Sequence, residues 1–278
     1  LVARIVLPRL SERLGQSFVI ENRSGAGGTI GTAVVAQSRP DGYTVMIQTS
    51  ASHVSNAHLY KKLPYDPLND FVGVTPLARL AAVLTVHPSL PPRSVKELIA
   101  LAKKRPKEVL FGHAGYGSFI HYNTVLLQSK TGIDVTQVPF KGGGPAVVGL
   151  ISGQTHAMIA GIGDIIEHLK AKRARPLGVT PMDGMKLLPD VPAIAETFPG
   201  YECETWVSML APAGTPKAIV DQLNAELAAA MRDPNVASKL SGLTYDSLHR
   251  TPEEFAQRLK SDYDQIGKLF RDFDVRIE

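Results

Sequence analysis

Three short segments rich in glycine and hydroxyl residues are the parts of this chain best suited to binding chemistry. They are 49-TSA-51, 115-GYGS-118 and 141-KGGG-144, and each follows a short apolar run and opens into a helix or turn. Bare backbone N–H groups, hydroxyls and the partial positive charge of a helix N-terminus together favour a bound anion. These segments predict a site that holds a carboxylate or another small anion without covalent chemistry. Lys141 can add a full charge there, although a lone lysine is more often solvated.

A fourth glycine-rich segment, 24-SGAGGTIGT-32, is the candidate for nucleotide binding. Its G-x-G-x-x-x-G spacing is a loose relative of the dinucleotide fingerprint. However, three residues separate it from the apolar run 18–20, and the next predicted strand carries no acid for a ribose. We therefore interpret it as a turn that needs glycine backbone angles. The 141–149 segment likewise lacks the Gly-Lys-Ser/Thr ending of a P-loop.

Ser118 and His121 are three residues apart, so they would share one face of a helix. A serine hydrolase also needs an acid that orients the histidine, and none can be placed beside this pair from the sequence. The segment is not a G-x-S-x-G nucleophile elbow either. The favoured interpretation is that Ser118 caps a helix and that His121 packs or donates a hydrogen bond. Hydrolysis by the pair remains an alternative.

Other catalytic and metal chemistry is less well supported. The single cysteine, Cys203, lies between two glutamates, which disfavour the nucleophilic thiolate. No carboxylate–histidine cluster has the spacing of metal ligands. We expect no catalytic residue, no metal and no cofactor.

Composition narrows the class of protein. The chain has 278 residues, of which 44% are hydrophobic and 20% charged, which suits one large or two small globular domains. The net charge is +4, but the basic residues are scattered, and the densest cluster (170–175) is interpreted as a solvated helix end. Aromatic residues do not interleave with it, so nucleic acid is not an expected partner.

The sequence also contains signals that indicate the cellular compartment of the protein. No run approaches the ~20 apolar residues of a membrane span. There is no basic and then apolar leader, so we expect that a signal peptide was removed or never existed. A single cysteine excludes an intrachain disulfide, which fits the cytosol or a periplasmic protein that needs none.

Helical and strand-like patterns alternate along the chain and must position these loops. The predicted helices are 1–15, 31–37, 94–105, 118–132, one ending near 152, 215–232 and 251–270. The predicted strands are 18–20, 43–47, 83–86, 109–111, 134–139, 156–159, 177–179 and 205–211. Repeated β-α units predict mostly parallel sheets flanked by helices. The middle, about 89–207, holds its own series, which predicts two lobes with a ligand at the carboxyl ends of the strands.

Many motifs, in order, resemble one family. They are 22-NRSGAGGTIG-31, 40-PDGYT-44, 59-LYKKLPYDPLNDF-71, 115-GYGS-118 with His121, 138-VPFKGGGPA-146, 188-LPDVPAIAE-196, 199-PGYE-202 with Trp206, 211-APAGTP-216 and 251-TPEEFA-256. This series resembles the Bug (TctC-type) receptors, the periplasmic solute-binding components of tripartite tricarboxylate transporters. The resemblance spans nearly the whole chain.

The resemblance implies a type II periplasmic-binding-protein fold, an α/β fold with two lobes that close on a ligand. Lobe one would comprise 1–88 and 209–278, and lobe two 89–208. Family members usually begin with a strand and a glycine loop ahead of a helix like 1–10, so lobe one is expected to lack its first strand and part of the anion cradle in this chain.

The resemblance also implies the ligand and the partners. The ligand is expected to be a small carboxylate (a di- or tricarboxylate, an acidic amino acid or an aromatic acid), and the partners are integral membrane transporter subunits. The receptor is expected to be a periplasmic monomer. The implied ligand contacts are Thr49, Ser50, Ala51, Gly115, Tyr116, Gly117, Ser118, His121, Lys141, Gly142, Ala160 and Gly161.

Two further expectations accompany the resemblance. Many relatives place a polar or acidic residue where this chain has Ala160 and Gly161, so the pocket is expected to be roomier or not built for an amino group. A ligand-sensing module for a signalling partner is the alternative to transport, and both interpretations predict ligand binding.

Overall fold

The computed structural model describes residues 1–23, 25–201, 205–243 and 245–273. Cys203 and its neighbouring glutamates lie outside the described residues. The chain divides into two compact units. The first contains Leu1–Leu80 and Thr205–Arg271, and the second contains the described residues from Ala81 to Tyr201.

Eleven α-helices are found in the described residues. They are α1 Val2–Leu14, α2 Thr29–Ala36, α3 Ser50–Leu59, α4 Val95–Lys104, α5 Phe119–Thr131, α6 Gly143–Ile151, α7 Ile162–Lys170, α8 Ile194–Thr197, α9 Lys217–Arg232, α10 Pro234–Ser241 and α11 Pro252–Asp272. None of these described helices is both long and apolar enough to cross a bilayer.

Nine strands lie in the same described residues. They are β1 Met46–Thr49, β2 Phe71–Leu80, β3 Ala82–Val86, β4 Leu110–His113, β5 Thr136–Pro139, β6 Ala157–Gly161, β7 Arg175–Val179, β8 Thr205–Pro212 and β9 Asp246–Ser247. They form one sheet in each unit, with the orders β1-β8-β2-β9 and β5-β4-β6-β3-β7.

The sheet of the first unit is antiparallel, which corrects the expectation of a mostly parallel sheet there. Strand β8 pairs antiparallel with both β1 and β2, and β2 pairs antiparallel with β9. The physical reason is that parallel pairing needs a β-α-β crossover, and no such crossover within this unit joins β8 to β1 or β2, because the second unit lies between them in the chain. The core behind this sheet includes the chain's single tryptophan, Trp206, whose ring lies 4.9 Å from that of Phe255.

The sheet of the second unit is mixed. Strand β4 pairs parallel with β5 and β6, whereas β3 pairs antiparallel with β6 and β7. The parallel expectation therefore holds on the β5-β4-β6 side of the sheet. Because parallel strands share a direction, the carboxyl ends of these three strands lie at one edge.

Local signals explain where several helices begin and end. Helix α1 ends at Gly15, which adopts the left-handed conformation at φ 63°. The helix runs through Pro8, although a proline inside a helix removes one backbone donor. Helix α4 begins at Ser94, whose side chain accepts a hydrogen bond from the N–H of Glu97 at 3.2 Å, as the capping-box pattern predicts.

One sequence-based assignment in the first unit is wrong and another is made definite. The apolar run at 18–20 forms no strand, although all three residues are described, and Val19 is 88% exposed. The segment 49–51, expected to open into a helix or turn, ends β1 and begins α3. The reason is Thr49, whose hydroxyl accepts from the N–H of Ser52 at 3.2 Å and caps the helix.

Candidate functional site

Three of the predicted ligand segments lie at one edge of the second unit's sheet, at or just after the carboxyl ends of β4, β5 and β6. In chain order they are 115–118, 141–142 and 160–161. The N–H of Phe140 donates to the carbonyl of His113 at 2.8 Å, which ties the first two segments together. A Cβ placed on Gly143 would lie 3.1 Å from Oδ2 of Asp164, so the second and third segments also adjoin. The sheet topology therefore brings these segments together.

The segment between β4 and α5 is a tight glycine turn with a serine cap. Gly115 and Gly117 have φ values of 101° and 76°, a region that favours glycine. The Ser118 hydroxyl accepts from the backbone N–H of His121 at 3.2 Å. The N–H of Gly117 donates to Nδ1 of His121 at 3.2 Å, so a neutral ring carries its proton on Nε2.

Two histidines and a tyrosine pack against this turn. The rings of His113 and His121 lie 4.9 Å apart, and Tyr116 is 5.0 Å from the first and 5.2 Å from the second. Burial lowers the pKa of His113 to about 4. Burial, together with repulsion from His113, lowers the pKa of His121 to about 3. Both rings are therefore neutral near pH 7, and Tyr116 keeps an exposed face.

The Ser118/His121 pair has the contacts of a helix cap rather than of a nucleophile and base. Nδ1 of His121 already accepts a hydrogen bond, and its low pKa makes the ring a weak base. Ser118 contacts the backbone of His121 through its hydroxyl. These contacts support the capping interpretation of Ser118.

The segment between β5 and α6 presents a helix N-terminus without a side-chain cap. Gly142 is the N-cap residue, with φ 120°, and no side chain caps α6. Pro145 has no N–H, so Gly143 and Gly144 supply the first amide donors of this helix. Lys141 is exposed beside them. Amides and a cation at this position can hold a small anion.

The third segment joins β6 to α7. Ala160 is fully buried, and Gly161 is the N-cap residue of α7. Asp164 lies in the first turn of this helix and approaches Gly143 of the neighbouring segment. Sequence reasoning missed Asp164, because only the packing of α7 against α6 brings it to this edge. A carboxylate between the predicted strand 156–159 and the helix end interpreted at 170–175 was the one available signal.

The predicted residues of the first unit lie at the junction of β1 and α3. Thr49 is the N-cap residue of α3, and Ser50 and Ala51 form its first turn. Ser50 is buried and its hydroxyl accepts a 3.4 Å hydrogen bond from the N–H of Trp206. These hydroxyls therefore connect α3 to its own cap and to β8.

The glycine-rich segment nearest the N-terminus, residues 25–31, belongs to the same unit and is called here the opening glycine loop. Side chains of neighbouring elements contact its backbone. The side-chain amide of Asn56 donates to the carbonyl of Gly27 at 3.1 Å. The Thr32 hydroxyl donates to Oε1 of Gln48 at 2.9 Å, and a Cβ on Gly28 would lie 3.0 Å from Nε2 of that glutamine. These contacts fit the interpretation of a structural turn. Among the described residues, no group of acidic, histidine or cysteine side chains could hold a metal ion.

The sequence matches the TctC family, described as the tripartite tricarboxylate transporter family receptor, over residues 2–275. It is 34% identical to the protein BugT of Bordetella pertussis over 255 residues, which is 91% of this chain and 78% of that protein. Members of this family are solute-binding receptors, not enzymes, so hydrolysis by Ser118 and His121 is set aside.

Solved structures agree with the family match. Rpa4515 of R. palustris, solved with adipate, is 37% identical and has a TM-score of 0.91 over 97% of this chain and 91% of that chain. MatC of Rhodopseudomonas palustris, solved with bound malate, is 30% identical and has a TM-score of 0.88 over 96% and 92%. These likenesses confirm the predicted two-lobed α/β fold. The chain belongs to the TctC, or Bug, family of periplasmic solute-binding receptors.

Proposed function

We propose that this receptor captures a small carboxylate by closure of its two lobes and delivers it to integral membrane transporter subunits. The observation that carries the proposal is the edge of the second unit's sheet. There, three adjacent parallel strands end in segments with glycine, and α6 begins without a side-chain cap. The structures of two neighbours, one with adipate and one with bound malate, support a small carboxylate as the ligand class.

The second unit supplies the anion-binding groups in this proposal. The amides after Gly142 and the Lys141 ammonium hold one ligand carboxylate, because amide donors at a helix N-terminus favour negative charge. The turn from Gly115 to Ser118 and the His121 ring hold the ligand from the neighbouring strand. Ala160 and Gly161, at the end of β6, have small side chains and leave space for the ligand beside that strand.

The first unit supplies the opposing surface on closure, through the junction at Thr49, Ser50 and Ala51. Closure follows from differential affinity, since a ligand that contacts both lobes favours the closed state. The lobes in this proposal are 1–88 with 209–278, and 89–208. In this proposal the receptor acts as a periplasmic monomer and transfers its ligand to membrane subunits.

Titration calorimetry of the full-length protein tests the binding step. Succinate, malate, adipate, citrate and benzoate form a suitable panel, and we expect saturable binding of at least one of them. Lys141→Ala should weaken that binding and leave the melting temperature unchanged, because Lys141 is exposed. If every acid fails to bind, the receptor proposal is wrong.

Closure and delivery need separate measurements. Small-angle scattering should show a smaller radius of gyration when the ligand is bound, and an unchanged radius would contradict lobe closure. Uptake of the same acid by cells with the membrane subunits should require this receptor. Uptake that is independent of the receptor, combined with ligand-dependent capture of a sensor kinase, would favour the signalling alternative.

A further inference from the structure

His113 is a buried polar side chain of the second unit whose hydrogen-bonding groups are unsatisfied. It is the last residue of β4, and none of its surface is exposed to solvent. Neither of its ring nitrogens takes part in a hydrogen bond within the described part of the chain. The backbone of Gly115 approaches the ring without reaching hydrogen-bond geometry, and it only partly opposes the effect of burial on the pKa of His113.

The other two buried histidines show what a structural imidazole does in this chain. Nε2 of His53 donates to the carbonyl of Pro67 at 2.8 Å, and Nδ1 of His121 accepts from the N–H of Gly117 at 3.2 Å. Each of these rings is fixed by a bond to the backbone. His113 lacks such a bond, and the burial of an unpaired polar group costs stability. A phenylalanine would fill the same space without that cost, so packing alone does not account for a histidine here.

Tyr116 is the member of this ring cluster that reaches solvent. It is 38% exposed, and its ring packs edge to face at 5.0 Å from that of His113. Gly115 and Gly117 flank it with φ values of 101° and 76°, so the backbone on each side has a freedom that other residues lack. The contact between two such rings is weak. The Tyr116 ring can therefore leave His113 at small cost.

His113 also adjoins the groups to which the proposed function assigns the ligand carboxylate. Its carbonyl accepts from the N–H of Phe140 at 2.8 Å, and Phe140 directly precedes Lys141. A pKa lowered to about 4 leaves the imidazole neutral near pH 7, with an N–H on one nitrogen. A hydrogen bond from that N–H to a carboxylate is charge-assisted and stronger than one between neutral groups.

We propose that His113 is a ligand-binding residue that the Tyr116 ring covers, and that the ligand displaces this ring and accepts a hydrogen bond from the imidazole N–H. A weak ring contact is thereby exchanged for a charge-assisted hydrogen bond, and the imidazole acquires its partner in the complex. This inference rests on the proposed function and adds to it a binding residue and a movable cover.

Calorimetry of the full-length protein with succinate, malate, adipate, citrate and benzoate compares the parent with His113→Phe. Phenylalanine keeps an aromatic ring for packing and removes both nitrogens. We expect the acids that the parent binds to bind at least about tenfold more weakly, as for the loss of a hydrogen bond to a charged group. The melting temperature should be unchanged or higher, because the variant no longer buries an unpaired polar group. A histidine with a structural role alone would change stability and not affinity.

Two further variants separate binding from packing. His53→Phe is the matched control, since His53 is also buried with a pKa lowered to about 4, and its ring packs at 5.1 Å from that of Phe71. This variant loses the bond to Pro67, so we expect a lower melting temperature and the affinity of the parent. His113→Gln supplies an amide donor and should retain more affinity than His113→Phe, which keeps the test valid if the phenylalanine variant fails to fold.

Stopped-flow measurement of ligand association tests the cover. Tyr116→Ala removes the ring that must move, so association should be about two- to tenfold faster, the equivalent of one aromatic pair contact. An association rate equal to that of the parent would contradict the covering role of Tyr116.

The outcomes distinguish this inference from the function on which it rests. Equal affinity of the parent and His113→Phe, or an equal loss in His113→Phe and His53→Phe, overturns the role of His113 and leaves the receptor proposal intact. Failure of every acid to bind the parent overturns both. A loss confined to His113→Phe, with partial recovery in His113→Gln and faster association in Tyr116→Ala, supports the inference.

Discussion

The opening glycine loop of the first unit and the 141–144 segment of the second unit are both glycine-rich and both precede a helix. They differ in the environment of their polar groups. In the opening loop, Asn56 contacts the carbonyl of Gly27, and Gln48 lies against Gly28 and accepts from Thr32. In the 141–144 segment, α6 starts without a side-chain cap. A glycine-rich segment is thus structural where neighbouring side chains engage its backbone, and a candidate site where they do not.

Buried histidines extend this comparison and lead to the largest expected effect. Nε2 of His53 in the first unit donates to the carbonyl of Pro67 at 2.8 Å, and burial lowers the pKa of His53 to about 4. His113 and His121 of the second unit lie beside the candidate site, with pKa values lowered to about 4 and about 3. The first unit has one fully buried ring of this kind and the second has two, and burial also lowers the pKa of the half-buried His58 in the first unit.

We expect the free energy of unfolding to fall as the pH falls below about 7. All three folded pKa values are depressed, so the unfolded chain, with histidine pKa values near 6.5, binds more protons than the folded chain below that pH. Stability is therefore fully present above about pH 6.5 and is lost toward pH 4. The loss is about 2 kcal/mol per histidine at about pH 5.

Urea unfolding at neutral and acidic pH measures this effect. Trp206 reports on the first unit by fluorescence, and circular dichroism reports on both units. We expect the dichroism signal to be lost at lower urea than the fluorescence signal under acid conditions, because the second unit holds two fully buried rings, whereas His58 of the first unit is only half-buried. His53→Gln should remove the contribution of His53 to the pH dependence, about 2 kcal/mol at about pH 5. Equal stability at both pH values would contradict the burial of neutral histidines.

The hydrogen bond from Asn56 to the opening glycine loop leads to the second prediction. Asn56 is fully buried, and Asn56→Ala leaves the carbonyl of Gly27 without its donor. We expect the free energy of unfolding to fall by about 1–3 kcal/mol, the cost of a buried unpaired polar group. Carboxylate affinity at neutral pH should stay unchanged in calorimetry. A large loss of affinity in a stable variant would place the opening loop in the binding site.

A pair of glycine substitutions tests the comparison directly. Gly143→Ala places a Cβ 3.1 Å from the Asp164 carboxylate, so we expect about tenfold weaker carboxylate binding, with a stability change below about 1 kcal/mol. Gly28→Ala is the counterpart in the opening loop. Its φ of 97° and its approach to Gln48 should lower stability by about 1 kcal/mol or more, with affinity retained. The reverse pattern in the two variants would overturn the distinction between the loops.

Local signals predicted much of the fold. The capping boxes at Ser94 and Thr251 mark real helix starts: Thr251 accepts from the N–H of Glu254 at 3.2 Å, and Glu254 accepts in return at 3.0 Å. Strand β2 was missed because Gly73 and Pro76 interrupt its pattern. Both lie at register shifts, where the strand tolerates them. The apolar run at 18–20 shows the converse error, since a pattern alone supplies no neighbouring strand.

The candidate site was predictable only where it depends on sequence-local geometry. The turn at 115–118 and the cap by Ser118 follow from glycine spacing and from a serine before a helix. The position of Asp164 depends instead on β4 lying between β5 and β6, since that order sets α6 and α7 side by side. Strand order of this kind is a property of tertiary packing, and no local pattern in the sequence encodes it.

Two serine caps of the second unit provide the smallest and most closely matched test. Ser94 and Ser118 each accept a 3.2 Å hydrogen bond from the N–H three residues later, so either alanine substitution should cost about 1 kcal/mol of stability. Only Ser118 lies at the edge where the glycine segments meet. Ser118→Ala should therefore also weaken carboxylate binding, and Ser94→Ala should not. Because the caps are equal in geometry, a loss of affinity in both variants would reflect general loosening of the second unit. A loss in neither would confine Ser118 to its structural role and leave the amides of α6 as the anion donors.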